Sequence, residues 1–303
     1  MAQVIDVKHL RKTYGPTVAV DDISFEVQKG EIFGIVGPNG AGKTTTIEAI
    51  IGLRTPDSGE ISVLGLNPAS DSQALGNRIG TQLQEAALPD RLKVWEALDL
   101  YASFYEKTVP YEPLLEQWGL AGKRDARFGD LSGGQQQRLF IALALLNDPE
   151  IVFLDELTTG LDPQARRATW DLVRDIRDQG KTVILITHFM DEVEALADRV
   201  AIIDHGQLIA LDTPANLVAG LEAETQVQFT TSNGFRPELL EDVEGVTSVT
   251  SLAQRVTVRG SGPLLANVAS ELGRHNIAPA DLSVQQADLE DVFLALTGRE
   301  IRN

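Results

Sequence analysis

Short apolar runs alternate with amphipathic stretches over the first two-thirds of the chain. Apolar runs bounded by turn or charged residues are typical of strands that are buried on both faces. Because these runs alternate with helical patterns, we expect an α/β fold with a mainly parallel sheet and helices on both of its faces. The predicted strands are 31–36, 151–154, 182–187 and 199–204, and the predicted helices are 44–53, 163–178 and 190–197.

One internal stretch departs from this alternation. Between the first strand–helix unit and Leu131, the chain shows helical patterns at 93–105 and 112–118 and little strand character. We interpret residues from about 86 to 130 as an all-helical insertion into the α/β domain.

The pattern changes again near residues 212–221, where Pro214 and Gly220 stand among short polar residues. Proline and glycine in such a stretch favour a domain boundary. Beyond it the order strand, helix, strand, strand, helix, strand is typical of a ferredoxin-like α+β unit. The predicted elements are 225–229, 237–240, 246–251, 255–258, 263–274 and 280–285.

The end of the chain predicts one more helix, at 288–296, with Leu289, Val292, Phe293 and Leu296 on one face. The length of 303 residues also exceeds what one hydrophobic core usually organises. We therefore expect two domains, residues 1–220 and a smaller one at 221–303.

Composition and charge narrow the classes of function. The formal net charge of −18 repels phosphate backbones, which disfavours a role in nucleic-acid binding. The chain has no cysteine, which excludes disulfides, thiol nucleophiles and thiolate metal sites. No apolar run approaches the roughly 18 residues that cross a bilayer, and residues 1–12 lack the apolar stretch of a secretory signal. We expect a protein that stays inside the cell and needs a partner for any role at a membrane.

A glycine-rich loop lies between the first predicted strand and the first predicted helix. The phosphate-loop pattern G-x-x-x-x-G-K-[ST] is matched by Gly37-Pro38-Asn39-Gly40-Ala41-Gly42-Lys43-Thr44. Glycines let successive backbone N–H groups point inward, so that the loop and the helix N-terminus form a cradle for phosphate oxygens. We expect Lys43 to neutralise the β and γ phosphates and Thr44 to place its hydroxyl on Mg²⁺.

Two carboxylates follow the predicted strand at 151–154. Asp155 and Glu156 therefore lie at the carboxyl edge of the predicted parallel sheet, where α/β proteins bind ligands. Beside a phosphate loop, we expect Asp155 to hold Mg²⁺ and Glu156 to orient and deprotonate an attacking water molecule.

A second helix start in the chain is also suited to binding phosphate. The helix that continues to Leu146 opens with Leu131-Ser132-Gly133-Gly134-Gln135-Gln136-Gln137-Arg138. Ser132 is predicted to cap this helix, and the glycines expose free N–H groups. Because one subunit seldom needs two such ends, this one is expected to serve a nucleotide that is bound mainly by another copy of the chain.

Taken in order from Tyr14 to His188, these motifs resemble those of the ATP-binding cassette (ABC) ATPases, and the resemblance covers about two-thirds of the chain. It implies the P-loop NTPase fold of this family, with an antiparallel β subdomain beside the parallel core. The family's motifs fall on Gly37 to Thr45 (Walker A), 131–138 (signature), 151–155 with Glu156 (Walker B) and 160–162 (D-loop).

The resemblance also assigns roles to single residues. It implies that Tyr14 stacks on adenine and that His188 contacts the γ-phosphate and the attacking water. A glutamine, either Gln82 or Gln84, would reach Mg²⁺ and couple the nucleotide to a membrane partner, and the spacing to the following Glu favours Gln84. The implied ATP-binding residues are Tyr14, Gly37, Pro38, Asn39, Gly40, Ala41, Gly42, Lys43, Thr44, Thr45, Ser132, Gly134 and Asp162.

One residue departs from the family pattern. Most members have proline after the catalytic Glu, whereas this chain has Leu157. We expect a local change of the backbone there and no loss of the role of Glu156.

For the whole protein, the resemblance implies an ATPase that dimerises on binding ATP, with a second copy or with a homologue, and drives a separate transmembrane permease from the cytoplasmic face of the plasma membrane. Because none of its motifs is damaged, a homodimer is the simpler expectation. Segments 158–163 and 289–299 resemble ATPases of two-component exporters. One alternative is an importer ATPase with a regulatory C-terminal domain. Another is a soluble ATP switch of translation or DNA maintenance, which the single cassette and the absence of heptads between Gly42 and Ser132 disfavour.

Overall fold

The computed structural model describes residues 2–83, 87–221, 225–231, 235–252, 254–285 and 287–298. The chain divides into two units, Met1–Leu217 together with Leu296–Asn303, and Val218–Ala295. This division falls within a helix, Pro214–Gly220. The sequence places the domain boundary just after that helix, and the boundary at 220 stays a prediction.

The first unit contains most of the helices and strands that the structure describes. In chain order they are β1 (Gln3–Tyr14), β2 (Thr17–Gln28), β3 (Ile32–Val36), α1 (Lys43–Ile50), β4 (Ser58–Val63), α2 (Ser72–Gly76), β5 (Ile79–Gln82), α3 (Val94–Ala102), α4 (Tyr111–Gln117), α5 (Gly133–Ala144), β6 (Ile151–Asp155), α6 (Pro163–Asp178), β7 (Thr182–Thr187), α7 (Met190–Leu196), β8 (Arg199–Asp204), β9 (Gln207–Asp212) and α8 (Pro214–Gly220).

The core of this unit is a six-stranded sheet with the strand order β5-β6-β7-β3-β8-β9. Its strands are parallel except for β9, which pairs antiparallel with β8. Every residue of β3, β6 and β7 is buried. Alternate residues point to opposite faces of a strand, and those of β6 divide between two hydrophobic clusters: Ile151 and Phe153 join one, and Val152 and Leu154 the other. The predicted parallel sheet, covered on both faces, is confirmed.

Different layers cover the two faces of this sheet. The first cluster includes α1 and an antiparallel sheet with the order β2-β1-β4, which is the antiparallel subdomain that the family resemblance implies. The second cluster contains residues of α3, α4 and α5, with the fully buried Trp118 among them. The helix α1 ends at Ile50, three residues before its predicted end, and Gly52 follows with φ of 82°. A left-handed glycine just beyond a helix is a common way for it to stop.

The second unit is a small α+β structure. Its elements are β10 (Thr225–Thr230), α9 (Glu238–Glu241), β11 (Val246–Leu252), β12 (Arg255–Gly260), α10 (Leu264–Arg274), β13 (Ala280–Gln285) and α11 (Leu289–Thr297). The antiparallel sheet has the order β11-β12-β10-β13, which is the strand order of a ferredoxin-like unit. Residues from β10, β12, α9 and α10 share one hydrophobic cluster, so the predicted ferredoxin-like fold is confirmed.

The last helix differs in one respect from its prediction. Leu289, Val292 and Phe293 are buried in α11, as the helical spacing predicts. Leu296, which the sequence places on the same face, is 50% exposed. Across the described residues, no helix combines the length and the apolar character that a bilayer crossing requires.

Candidate functional site

Three neighbouring strands bring the predicted site residues to one edge of the parallel sheet. The register pairs Val36 at the end of β3 with Thr187 at the end of β7, and Asp155 at the end of β6 with Ile186. Because the strands are parallel, the residues that follow them leave the sheet at the same carboxyl edge. The phosphate loop, Glu156 and His188 therefore begin side by side, although they are far apart in sequence.

The loop from Gly37 to Gly42 is shaped by close backbone contacts that only glycine permits. Gly42 has φ of 103°, and a Cβ atom there would lie 2.3 Å from the Ala19 carbonyl oxygen. A Cβ atom on Gly37 would lie 2.0 Å from the carbonyl oxygen of Ile203. Real Cβ atoms do not approach carbonyl oxygens so closely, so only glycine fits at these two positions. Because Ala19 lies in β2 and Ile203 in β8, these two strands pack against the loop and fix its position.

Hydrogen bonds hold the middle of the loop. The Ala41 N–H donates to the Pro38 carbonyl over 3.1 Å, and the Gly206 N–H donates to the Ala41 carbonyl over 2.9 Å. Asn39 and Gly40, at the tip, are exposed. The turn between β8 and β9 that contains Gly206 thus supports the loop, a role that sequence reasoning missed because nothing in the sequence pairs this turn with a motif 165 residues earlier.

Lys43 is the cation of the loop, and it is buried at 6% exposure. Its Nζ donates to the carbonyl oxygens of Gly37 and Pro38 over 2.6 and 3.1 Å. Burial lowers the pKa of Lys43, and the nearby charges of Glu156 and Asp155 oppose that shift. The lysine therefore lies between the loop carbonyls and the two carboxylates.

The next two residues occupy the first turn of α1. Thr44 is exposed and Thr45 is half-buried. The helix has no side-chain cap, so the first backbone N–H groups have no side chain bound to them. Anions are stabilised at such a helix start by these N–H groups and by the helix dipole.

Asp155 is a buried carboxylate at the end of β6. Burial and, to a smaller extent, the charge of Glu156 raise the pKa of Asp155 to about 6, against the opposing effect of the Lys43 charge. A carboxylate in this setting gains from a cation beside it, because the cation offsets both the burial and the neighbouring negative charge. The described residues contain no group of three or more acidic or histidine side chains that could hold a metal ion by themselves. One buried carboxylate and one threonine hydroxyl instead fit Mg²⁺, which usually takes few protein ligands beside substrate phosphates.

Glu156 and His188 form a pair at the same edge. The Glu156 Oε1 and His188 Nδ1 atoms lie 3.1 Å apart, and both side chains are largely buried. Glu156 has φ of 50°, a conformation that non-glycine residues rarely adopt, and its N–H donates to the Ile186 carbonyl over 2.8 Å. Strain of this kind clusters at functional sites. Leu157, the residue in the place of the family's proline, is fully buried in the second hydrophobic cluster.

The second predicted phosphate-binding end, at α5, has no hydrogen bond to this group among the described residues. Ser132 caps the helix: its Oγ accepts from the Gln135 N–H over 3.4 Å, and the Gln135 side chain accepts from the Ser132 N–H over 3.0 Å. The described hydrogen bonds of Ser132 all stay within its own helix. A Cβ atom on Gly134 would meet only the Leu161 side chain, at 3.7 Å.

Asp162 is placed as a helix cap. Its Oδ1 accepts from the N–H groups of Gln164 and Ala165, both over 2.9 Å, at the start of α6. Since Leu161 lies beside Gly134, the segment before α6 and the start of α5 are neighbours. The predicted contact of Asp162 with a nucleotide stays a prediction.

Tyr14 ends β1 in the antiparallel sheet and is 40% exposed. Two cations lie over its ring, with the Arg54 guanidinium 5.3 Å and the Lys12 Nζ 5.8 Å from the ring centre. An exposed aromatic ring can stack on a base. None of the contacts described for Tyr14 reaches the phosphate loop.

The two candidate glutamines are only partly described. Gln82 ends β5; it is buried, and its Nε2 donates to the Leu83 carbonyl over 3.2 Å. Its buried Oε1 has no hydrogen-bond partner among the described residues. Gln84 lies outside the described residues, so the choice between the two stays open.

Comparison with known proteins supports the family resemblance. The family described as ABC transporter matches residues 20–159. A relative from Burkholderia pseudomallei (strain 1710b), named Nod factor export ATP-binding protein I, is 39% identical over 313 residues, covering 98% of each chain. The structure of cbiO1 from Clostridium perfringens, described as part of the ABC transporter complex cbiONQ, matches with a TM-score of 0.66 at 26% identity over 73% of this chain and 92% of that one. The dimeric structure of MJ0796, described as a bacterial ABC transporter cassette, matches with a TM-score of 0.61 at 26% identity over 69% and 98%.

Proposed function

The chain belongs to the ABC transporter family as an ATP-binding, ATP-hydrolysing subunit, and from this premise we propose that it powers an exporter whose membrane-spanning part is a separate polypeptide. One observation carries the proposal for the site: Lys43, Asp155, Glu156 and His188 meet at one sheet edge beside the phosphate loop. A cation, a buried acid and an acid–histidine pair are the groups that phosphoryl transfer to water requires.

ATP would bind with its phosphates on the loop and on the start of α1. The free N–H groups of the loop and the helix would hold the phosphate oxygens. Lys43 would exchange its bonds to the Gly37 and Pro38 carbonyls for bonds to the β and γ phosphates. Tyr14 would stack on the adenine ring, in keeping with its exposure of 40%.

Asp155 and Thr44 would hold Mg²⁺, with Gln82 or Gln84 as a further ligand. Bound there, Mg²⁺ would neutralise charge on the β and γ phosphates. Asp155 is suited to this place because burial and the charge of Glu156 both disfavour its bare carboxylate.

Glu156 would orient the attacking water molecule and accept its proton. His188 holds the Glu156 carboxylate through the contact of 3.1 Å between Nδ1 and Oε1, which leaves its other ring nitrogen available for the γ-phosphate. The protein contributes mainly by positioning these groups and by neutralising charge.

The start of α5 would complete the ATP site of a second subunit. Ser132 and Gly134 would contact the γ-phosphate bound on the partner's loop, so that two copies sandwich two ATP molecules. The exposure of Ser132 and Gly133 at the start of α5 supports this arrangement, as does the dimeric cassette among the similar structures. Since its own motifs are complete, a homodimer is the simpler assembly.

A groove in the first unit would receive the permease. It has a volume of about 520 Å³ and is lined by residues that follow α1, by α2, by β5 and by the segment after α3. Leu53 and Phe104, at 65% and 69% exposure, are among its walls. A cytoplasmic segment of the permease with an apolar face would fill this groove and would touch elements joined directly to the phosphate loop and to Gln82. This contact would place the chain on the cytoplasmic face of the membrane.

Two measurements test the proposal. Glu156→Gln should leave ATP binding intact, abolish hydrolysis and trap a dimer with ATP and Mg²⁺ in size-exclusion chromatography. Recovery of only the monomer would count against the sandwich. Phe104→Asp should leave the ATPase of the isolated chain unchanged and prevent co-purification with a membrane protein. Leu252→Asp, at an apolar side chain that is 85% exposed and lies outside the groove, serves as the control.

Purification from gently solubilised membranes of the native host, followed by mass spectrometry, tests the role in transport. A polytopic membrane protein without its own cassette should accompany the chain. Recovery of ribosomes or DNA-repair factors with no membrane protein would leave the ATPase standing and overturn the transport role. The export direction rests on the relatives named export ATP-binding proteins; an associated extracytoplasmic binding protein would instead indicate import.

A further inference from the structure

Glu192 is a fully buried acid that the roles above do not use. It lies in the first turn of α7, four residues after His188, and its side chain has no exposure to solvent. Burying a carboxyl group costs several kcal/mol unless it finds hydrogen-bonding partners. A buried acid beside a catalytic histidine therefore calls for a reason beyond packing.

The side chain of Glu192 meets three segments of the first unit. Its Oε1 accepts from the Trp170 Nε1 of α6 over 3.2 Å. The hydroxyls of Thr158 and Thr187 face the same carboxyl group. Thr158 follows Glu156 by two residues, and Thr187 precedes His188 directly. The carboxyl group thus lies between the two backbone segments that carry the Glu156–His188 pair.

Not every polar atom around the Glu192 carboxyl group makes a hydrogen bond of standard geometry. Its Oε2 and the Thr158 Oγ1 are buried and do not reach standard hydrogen-bond geometry in the described part of the chain. A proton on the carboxyl group could be shared with the Thr158 oxygen after a small shift, which would satisfy both atoms. Burial raises the pKa of Glu192, and Thr187, Thr158, Trp170 and the charge of Arg166 oppose that shift without cancelling it. At a given pH, the protonated, neutral fraction of Glu192 is therefore larger than it would be in water.

Helix α6 makes a second set of contacts, through Arg166, with residues that follow His188. The Arg166 guanidinium donates to Asp191 over 3.0 Å and lies 4.5 Å from the centre of the Phe189 ring. The Phe189 ring is 4.1 Å from the His188 ring. Helix α6 thus contacts Phe189, the residue after His188, through Arg166. The buried Glu192 contacts Thr187, the residue before His188.

We propose that Glu192 is a positioning residue for ATP hydrolysis, whose buried carboxyl group joins Thr158, Thr187 and Trp170 and so keeps Glu156 in register with His188. The inference rests on the proposed roles of Glu156 and His188. It predicts that the shape and hydrogen bonds of the side chain matter more than its charge. Glutamine, which keeps both, should replace it, and alanine should not.

The experiment measures ATP hydrolysis by the full chain with Mg²⁺, giving kcat and KM separately, for Glu192→Ala, Glu192→Gln and Glu194→Ala. Glu194 is an exposed acid on the same helix and serves as the matched control. We expect Glu192→Ala to lower kcat by about tenfold or more, since small displacements of catalytic groups have effects of this size. KM should stay within about twofold, because ATP binding does not use this residue. Glu192→Gln should keep at least about half of the wild-type kcat.

Two further variants keep the inference open to failure if Glu192→Ala folds poorly. Trp170→Phe removes one donor and should lower kcat with KM unchanged, while Thr158→Val should do the same at a similar volume. Wild-type kcat in Glu192→Ala would overturn the positioning role. So would losses of activity that are fully explained, in every variant, by a smaller amount of folded protein that binds ATP. Glu156→Gln separates the two failures: if it also retains hydrolysis, the proposed site itself is wrong, and if it alone is inactive, only the role of Glu192 fails.

Discussion

The two helix starts that the sequence marks for phosphate, at Lys43 and at Gly133, are built in opposite ways. Helix α1 follows a loop whose glycines pack closely against backbone carbonyls of Ala19 and Ile203, and its lysine is buried. Helix α5 begins at the surface, with a serine cap and a glutamine that closes the capping box. One end has a buried lysine with two acids beside it. At the other end, the described contacts include those of the Ser132 hydroxyl, the Gln135 side chain and the half-buried Arg138, which donates to the Gly134 carbonyl over 3.1 Å.

This difference shows what each end can do alone. The α1 end can bind and neutralise several phosphate charges, because its free N–H groups and Lys43 act together. The α5 end offers hydrogen bonds with no buried cation, which suits a single phosphate that is already held elsewhere. The comparison favours one complete site divided between two chains over two sites in one chain.

The largest expected effect comes from removing the cation of the α1 end. Lys43→Ala should lower ATP hydrolysis by at least about a hundredfold, because in the proposed site this buried cation would contact the transferred phosphate and contribute several kcal/mol there. Steady-state release of phosphate measures it. Lys123→Ala, at an exposed lysine far along the chain, should keep wild-type activity. Hydrolysis that survived in Lys43→Ala would remove the distinction between the two ends.

Mixing two inactive variants tests whether the ends belong to one shared site. Lys43→Ala damages the loop, and Ser132→Arg blocks the start of α5. In a mixed dimer one site then carries both defects and the other carries none. An equal mixture should recover up to about a quarter of the wild-type rate, since half of the dimers would have one of two sites intact. No recovery, with mixed dimers shown to form, would place both ends in the same subunit's site.

The glycines of the two ends should differ in what they contribute to stability. Gly42→Ala should lower the free energy of unfolding by about 2 kcal/mol or more, because it adds a clash with Ala19 to a left-handed backbone. Gly134→Ala meets only ordinary contact and should change it by less than about 0.5 kcal/mol. Urea unfolding compares the two, and equal losses would contradict the contrast.

The smallest effect concerns the cap of α5. Ser132→Ala should lower the free energy of unfolding by about 1 kcal/mol or less, since its capping bond is long. Ser132→Asn retains a capping oxygen and should restore most of that loss. Urea unfolding of the isolated chain measures both variants. A loss of several kcal/mol would mean that Ser132 has a packing role inside its own subunit.

Much of the fold could be predicted because its buried strands have little choice of environment. The run 182–187 has four apolar residues between two threonines, and the structure gives β7 the same bounds, with all six residues buried. Ends of helices were less certain, because they depend on single residues. The glycine after α1 stops that helix earlier than the proline further on would.

The candidate site was predicted where motifs lie on adjacent strands and was missed where packing decides. Glu192 looks like an exposed residue of an amphipathic helix, since its neighbour Asp191 is exposed. The packing of α7 against α6 and against the segments that carry Thr158 and Thr187 buries it, and no local pattern encodes that packing. For Tyr14, the family resemblance names a role, yet the arginine over its ring follows from the turn after α1 and is not visible in the motif.

The strand order also bears on how the chain acquires its function during synthesis. The strand β3, which leads into the phosphate loop, pairs only with β7 and β8, and both of these lie about 150 residues further along. At ribosomal rates of about 5–20 residues per second, β3 waits roughly eight to thirty seconds for its partners. Its apolar residues need shielding from other chains during that interval. The nascent protein is therefore expected to depend on chaperones most while its nucleotide-binding segment is already made but not yet folded.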